Sequence, residues 1–101
     1  MIKRSGINVS PAEVEQVIQQ LQGIGMVGVT GSPDPIRGER IVAFVTVREE
    51  TELDADRILQ HCKEFLSGYK IPDVITFQDA LPLTPTGKLL RKELKRLAAQ
   101  L

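Results

Sequence analysis

The sequence predicts an α+β fold, and three observations predict it. Three segments carry apolar residues at helical spacing, separate runs are rich in β-branched residues, and clusters of turn formers divide them. Their order is strand–helix–strand–strand–helix–strand–helix. That order makes a small mixed sheet of about three main strands plus a short N-terminal strand, packed with three helices. The 101 residues suit a single domain, 1–101, and no repeat, low-complexity stretch or interdomain linker interrupts them.

The elements follow in chain order. Ile7 and Val9 alternate after a turn at Gly6 and suggest a brief strand. Ser10 is placed as an N-cap, Pro11 stands at the first helical position, and Glu13 completes a capping box. Val14, Val17, Ile18 and Leu21 then line one face of a helix over 11–22, which Gly23 ends. Residues 26–30 and 41–47 read as strands, with a loop of turn formers from Gly31 to Arg40 between them. A second helix starts near Asp54, buries Ile58, Leu59, Cys62, Phe65 and Leu66, and stops at Gly68. Residues 74–77 form a short strand. The Pro-rich loop 80–87 leads to a last helix over about 88–99, with Leu90, Leu94 and Leu97 on one side.

Bulk properties exclude several function classes. Lys plus Arg and Asp plus Glu are 13 each, so no net field draws the chain to nucleic acid or a membrane surface. The basic last helix is the one feature that suits RNA or DNA, and the zero net charge and scarcity of aromatics argue against that use. The single cysteine, Cys62, excludes an internal disulfide and fits a reducing compartment. With no apolar leader and no run of membrane-spanning length, the expectation is a cytoplasmic chain without a membrane span.

Three literal motif matches fail on context. Gly23-Ile24-Gly25-Met26-Val27-Gly28 matches G-x-G-x-x-G but runs from a helix into a strand, the reverse of the order that offers a helix N-terminus to a pyrophosphate. Thr86-Gly87-Lys88 lacks both the earlier glycine and the following Ser or Thr of a phosphate-binding P-loop. His61 and Cys62 are adjacent on a helix, with no second pair to complete a metal site, so none is expected; Cys62 reads as core and His61 as surface. No nucleophile–base pair is present either, and the domain reads as catalytically incomplete by itself.

Two segments remain. In Leu81 to Lys88, Pro82, Pro85 and Gly87 bend a loop that ends in a lysine at a helix start, where a cation opposes the helix dipole. By pattern alone the plain reading is a capped surface lysine. Held out on a turn, however, its ammonium could meet a carboxylate or phosphate brought from elsewhere. In Met1 to Glu15, cations precede a glycine turn and a capped helix, and a charged N-terminal strand is the plain reading.

Taken together the two segments resemble a known family. Ile2-Lys3-x-x-Gly6-x-x-Val9-x-Pro11-x-Glu13-Val14-Glu15 is similar to the motif that opens the C-terminal domain of the acyl-adenylating superfamily. That superfamily includes acyl-CoA synthetases, peptide-synthetase adenylation domains and firefly luciferase. Leu81-Pro82-x-Thr84-x-x-Gly87-Lys88-x-x-Arg91 resembles its last motif, which carries the adenylation lysine. Pro33-Asp34-x-x-x-Gly38-Glu39 and Tyr69-Lys70-Ile71-Pro72 fall where acyl-CoA synthetases have similar segments.

The resemblance covers essentially the whole chain and implies a two-step ligase reaction. A carboxylate attacks ATP to give an acyl-adenylate and pyrophosphate, then a thiol displaces AMP to form a thioester. It implies that Lys88 is catalytic in the first step and that the segment Lys3 to Val9 faces the site in the second. It also implies contacts to coenzyme A from Lys3, Ser5, Gly6, Ile7, Arg37 and Lys70. ATP, CoA and Mg2+ would then be held largely by a large N-terminal domain, about which this domain turns as a mobile lid. The hinge of that motion corresponds to a position immediately before Met1, and the large domain is absent from the sequence. The implied partner is therefore an adenylating domain in cis or in trans, with no ligase activity from the chain alone. A different class of reading is a free-standing binding or regulatory module that docks on such a domain.

Overall fold

The computed structural model describes residues 1–49 and 51–101. Its elements are β1 Ile2–Arg4, β2 Ile7–Val9, α1 Pro11–Gln19, β3 Ile24–Asp34, β4 Gly38–Val47, α2 Ala55–Phe65, a 3-10 turn at Gly68–Lys70, β5 Val74–Phe77 and α3 Arg91–Ala99. The α+β class and the mixed sheet match the expectation. β3 runs antiparallel along one edge of β4. The opposite edge is shared: β1 meets it at the Arg4–Gly38 pair, and β5 runs parallel to it from Val42 to Val45.

Alternation along β4 builds two cores, because successive strand residues face opposite sides of a sheet. Ile41, Ala43 and Val45 face a cluster with Val14, Ile18, Ile58 and Cys62 of α1 and α2. Val42 and Phe44 face a smaller cluster with Leu81, Leu94 and Ala98, which seats α3 on the other side. The sheet is thus sandwiched, with α1 and α2 on one face and α3 on the other.

Several expectations are corrected. The N-terminal strand is a hairpin: β1 and β2 pair antiparallel through a two-residue turn in which Ser5 (φ 53°) and Gly6 (φ 80°) are both left-handed. The expected loop 31–40 is mostly strand, and only Pro35 to Arg37 turn. Pro33 is tolerated there because β3 lies at the sheet edge, where a missing N–H costs little. Ser10 does cap α1 by accepting from the Glu13 N–H (3.4 Å), but the Glu13 side chain reaches Lys70 instead of closing a capping box. His61 is buried, not on the surface, since its Nε2 lies 2.9 Å from the Val17 carbonyl and ties α2 to α1. Phe65 at the end of α2 is instead 58% exposed, stacked at 4.8 Å on His61. Finally, α3 begins at Arg91, not near 88.

Candidate functional site

Lys88 lies in a self-closed loop between β5 and α3. The Thr84 N–H donates to the Lys88 carbonyl (2.7 Å), the Gly87 N–H to Thr84 O (2.9 Å) and the Leu90 N–H to Pro82 O (3.0 Å). The Thr84 hydroxyl accepts from the Lys88 N–H at 3.1 Å. A bridge between Leu83 and Leu89 closes the loop's base. Gly87 has φ +88°, a left-handed conformation that favours glycine, and it reverses the chain just before the lysine. Buried Leu81 and partly buried Leu89 pin the loop to the α3-side core. Gly28 makes that docking possible, because a Cβ there would lie 2.7 Å from Leu94 Cδ1 and 3.5 Å from Leu89. This close packing, not a dinucleotide, accounts for the last glycine of the false G-x-G-x-x-G.

The Lys88 side chain is exposed, and no ion pair among the described residues includes its ammonium. Its position three residues before α3 removes the conflict with the helix dipole expected from the sequence. Arg91 at the head of α3 makes a bidentate pair with Glu15 of α1, 3.0 Å at each nitrogen, and the guanidinium is held above its usual range first by that hydrogen bond. Glu15 also accepts from the Val29 N–H at 2.7 Å. The loop's exit is thereby clamped to α1 and β3.

The residues expected to meet coenzyme A fall at the opposite edge of β4. The Ser5 N–H donates to the Arg37 carbonyl at 2.7 Å, joining the β1–β2 turn to the β3–β4 turn. A Cβ on Gly6 would meet nothing within 4 Å, so the tip of the turn is open to close approach. Ile7 is 44% exposed beside it. Arg37 pairs with Asp34 (3.2 Å) and Asp73 (3.0 Å). Lys70 pairs with Glu13 (2.9 Å), its ammonium 5.5 Å from the Tyr69 ring centre. Ser5, Gly6, Ile7 and Arg37 are thus brought together, with Lys70 on the turn alongside. Lys3 is set apart: strand alternation turns its side chain to the face opposite Ile2 and Arg4, while its N–H donates to Glu39 (3.0 Å).

Both cations of this face expected to meet phosphates, Arg37 and Lys70, already hold carboxylates. The Arg37 guanidinium is raised above its usual range by the hydrogen bond to Asp34 and then by the charge of Asp73. Lys70 is raised chiefly by its hydrogen bond to Glu13. Asp34 is lowered by the backbone N–H groups of Arg37 and Ile36, which favour its anion. These carboxylates fix the positions of the cations and neutralise part of their charge.

Two residues of this face were not legible in the sequence. Arg4 donates to the carbonyls of Tyr69 (3.3 Å) and Ile71 (3.1 Å) and to Asp73 (2.8 Å). Asp73 also accepts from the Ile41 N–H at 2.7 Å. Asp73 directly follows Tyr69-Lys70-Ile71-Pro72, but its partners lie 69, 36 and 32 residues away, beyond any local pattern. Elsewhere, burial pushes the Cys62 thiol up to about 11, which makes it inert as a nucleophile. Among the described residues, no group of three or more His, Cys, Asp or Glu could hold a metal ion, and no helix is long and apolar enough to cross a membrane.

Known proteins share this arrangement. The family described as AMP-binding enzyme C-terminal domain matches residues 13–88. A long-chain-fatty-acid–CoA ligase of Yersinia pestis is 39% identical over 95 residues, which cover 94% of this chain and 17% of that protein. Long-chain-fatty-acid–CoA ligase FadD13 of Mycobacterium tuberculosis is 40% identical over 95 residues, 94% of this chain and 19% of the ligase. Among solved structures, a Mycobacterium tuberculosis fatty acyl CoA synthetase superposes with a TM-score of 0.93 at 37% identity, over 99% of this chain and 20% of that one. ATP-bound MatB from Rhodopseudomonas palustris gives 0.92 at 27% identity, over 96% of this chain and 19% of that one. The chain therefore spans about a fifth of the proteins it matches. With its two motif-bearing segments on one α+β scaffold, it belongs to the AMP-binding enzyme C-terminal domains of the acyl-CoA synthetase type.

Proposed function

We propose that this domain works with a large adenylating domain as an ATP-dependent acyl-CoA ligase, offering Lys88 to the first step and the β1–β2 face to the second. In the first step a substrate carboxylate oxygen bonds to the α-phosphorus of ATP and pyrophosphate leaves. The Lys88 ammonium stabilises the negative charge shared by the carboxylate and α-phosphate and holds them in line. In the second step the thiol sulfur of coenzyme A, having lost its proton, bonds to the acyl carbon and AMP leaves. Gly6 gives the thiol arm room, with Ser5 and Ile7 beside it, and Arg37 and Lys70 supply charge for the phosphates. A reducing, cytoplasmic setting fits the one cysteine, Cys62.

The observation that carries this reading is the exposed Lys88 ammonium, without an ion-pair partner among the described residues and presented on a loop closed by its own hydrogen bonds. The test is reconstitution. The purified chain, mixed with the large domain of a long-chain-fatty-acid–CoA ligase, ATP, Mg2+, CoA and a fatty acid, should release pyrophosphate and form a thioester. The chain alone should do neither. Ligation by the chain alone, or full activity from the Lys88→Ala variant in the mixture, overturns the proposal.

A further inference from the structure

We propose that Asp73 is the positioning residue of the thiol-acceptor face. One carboxylate gathers three separate parts of the chain. Its Oδ1 takes the Arg4 guanidinium at 2.8 Å and the Arg37 guanidinium at 3.0 Å, and its Oδ2 takes the Ile41 N–H at 2.7 Å. The Asp73 N–H donates back to the Ile41 carbonyl at 2.8 Å, so β4 fixes the aspartate on both its backbone and its side chain. Arg4 extends the tie, since its other nitrogen holds the Tyr69 and Ile71 carbonyls.

The geometry explains why such an anchor is needed. Buried Ile2 and Val9 hold the base of the hairpin in the core, but toward its turn β1 meets β4 only at the Arg4–Gly38 pair, with the Ser5 N–H on the Arg37 carbonyl beyond it. The left-handed Ser5, the one non-glycine residue with positive φ among the described residues, adds conformational cost to the turn that must be held in place. Charge-assisted hydrogen bonds from a strand-anchored carboxylate are stronger than neutral ones and direct the guanidinium planes. Asp73 thus makes the β1–β2 turn, Arg37 and the Gly68–Lys70 turn a single rigid surface. What that surface meets rests on the ligase reading above; the tie itself does not.

The test uses the 101-residue chain carrying Asp73→Asn and, separately, Arg4→Gln. Site-resolved amide exchange should show the Ser5 N–H exchanging about ten-fold faster in both variants, the change expected from losing one hydrogen bond of ordinary strength. The Ala43 and Val45 amides should keep their native protection. If Asp73→Asn loses protection everywhere, Arg4→Gln, which leaves Asp73 in place, decides the point. Unchanged protection at Ser5 overturns the tie.

In the reconstituted mixture, Asp73→Asn should raise the KM for CoA about ten-fold with little change in kcat, and Asp73→Glu should recover part of the loss. A looser Ser5 with a native KM for CoA leaves a structural tie and overturns the positioning role. If the native chain restores no pyrophosphate release, the ligase reading fails and the positioning role falls with it, while the exchange result still judges the tie.

Discussion

The two ends of this domain hold their cations in opposite ways. Lys88, which pairs with no carboxylate among the described residues, stands on a loop whose order comes from its own backbone and from apolar anchors, Leu81 and Leu89. Arg4, Arg37 and Lys70 sit in a surface whose order comes from the charges themselves, each matched by Asp73, Asp34 or Glu13. The difference is one of construction: backbone hydrogen bonds and apolar anchors present an ammonium at one end, whereas carboxylates fix guanidinium and ammonium groups in place at the other.

The largest expected effect breaks the comparison at its chemical end. Lys88→Ala should slow pyrophosphate release in the reconstituted mixture by on the order of 10³-fold, typical of removing one electrostatic stabiliser of a transition state. Thermal unfolding of the free chain should be unchanged. A stability loss in that variant would mean the lysine is structural.

Next comes the apolar anchor. Leu94 is fully buried against Val42 and Phe44, and Leu94→Ala should destabilise the fold by about 3 kcal/mol in urea denaturation. The Lys88 loop should lose its amide protection before the β1–β2 turn does.

Smaller, and sharper as a comparison, is the same substitution made at each end. Gly87 and Gly6 both have positive φ and open space where a Cβ would go, so alanine at either position should cost about 1–2 kcal/mol by backbone strain alone. Denaturation should not tell the two variants apart, but kinetics should. Gly87→Ala should slow adenylate formation, and Gly6→Ala should weaken use of CoA.

The smallest effect concerns the half-buried Lys70–Glu13 pair. Glu13→Gln should lower the unfolding midpoint at pH 7 only slightly, since a single ion pair near the surface contributes little. Lys70 is raised by Glu13, so the pair's contribution is present below the unfolded lysine value of about 10.4 and lost as pH rises through the folded one. A titration of stability should therefore show the same small difference between variant and native chain at pH 7 and pH 9, vanishing as the pH rises toward 12.

Much of this was legible in the sequence where the signal was local. The Ser10–Pro11 start, the helical faces of α1 and α2 and the bent loop before Lys88 all follow from residues within a few positions of one another. What escaped was set by tertiary pairing. Gly31 to Asp34 look like loop formers, yet pairing with Gly38 to Ile41 draws them into β3. His61 looked like a surface residue because helical spacing does not reveal that its ring finds the Val17 carbonyl on α1. Lys88 lies in the loop and not at a helix start, since Leu89 and Leu90 continue a helical pattern while the backbone is still closing onto Leu83 and Pro82.

The Glu15–Arg91 clamp has a further consequence, for how copies of the chain behave toward one another. β3 is an eleven-residue strand at the sheet's border, and an unguarded border strand is a template for strand addition and aggregation. Glu15 occupies the Val29 N–H from outside, with Arg91 drawn over it, so a charged pair stands where a neighbouring strand would have to bind. The contact that holds α3 near the lysine loop also occupies a border N–H that a neighbouring strand would need.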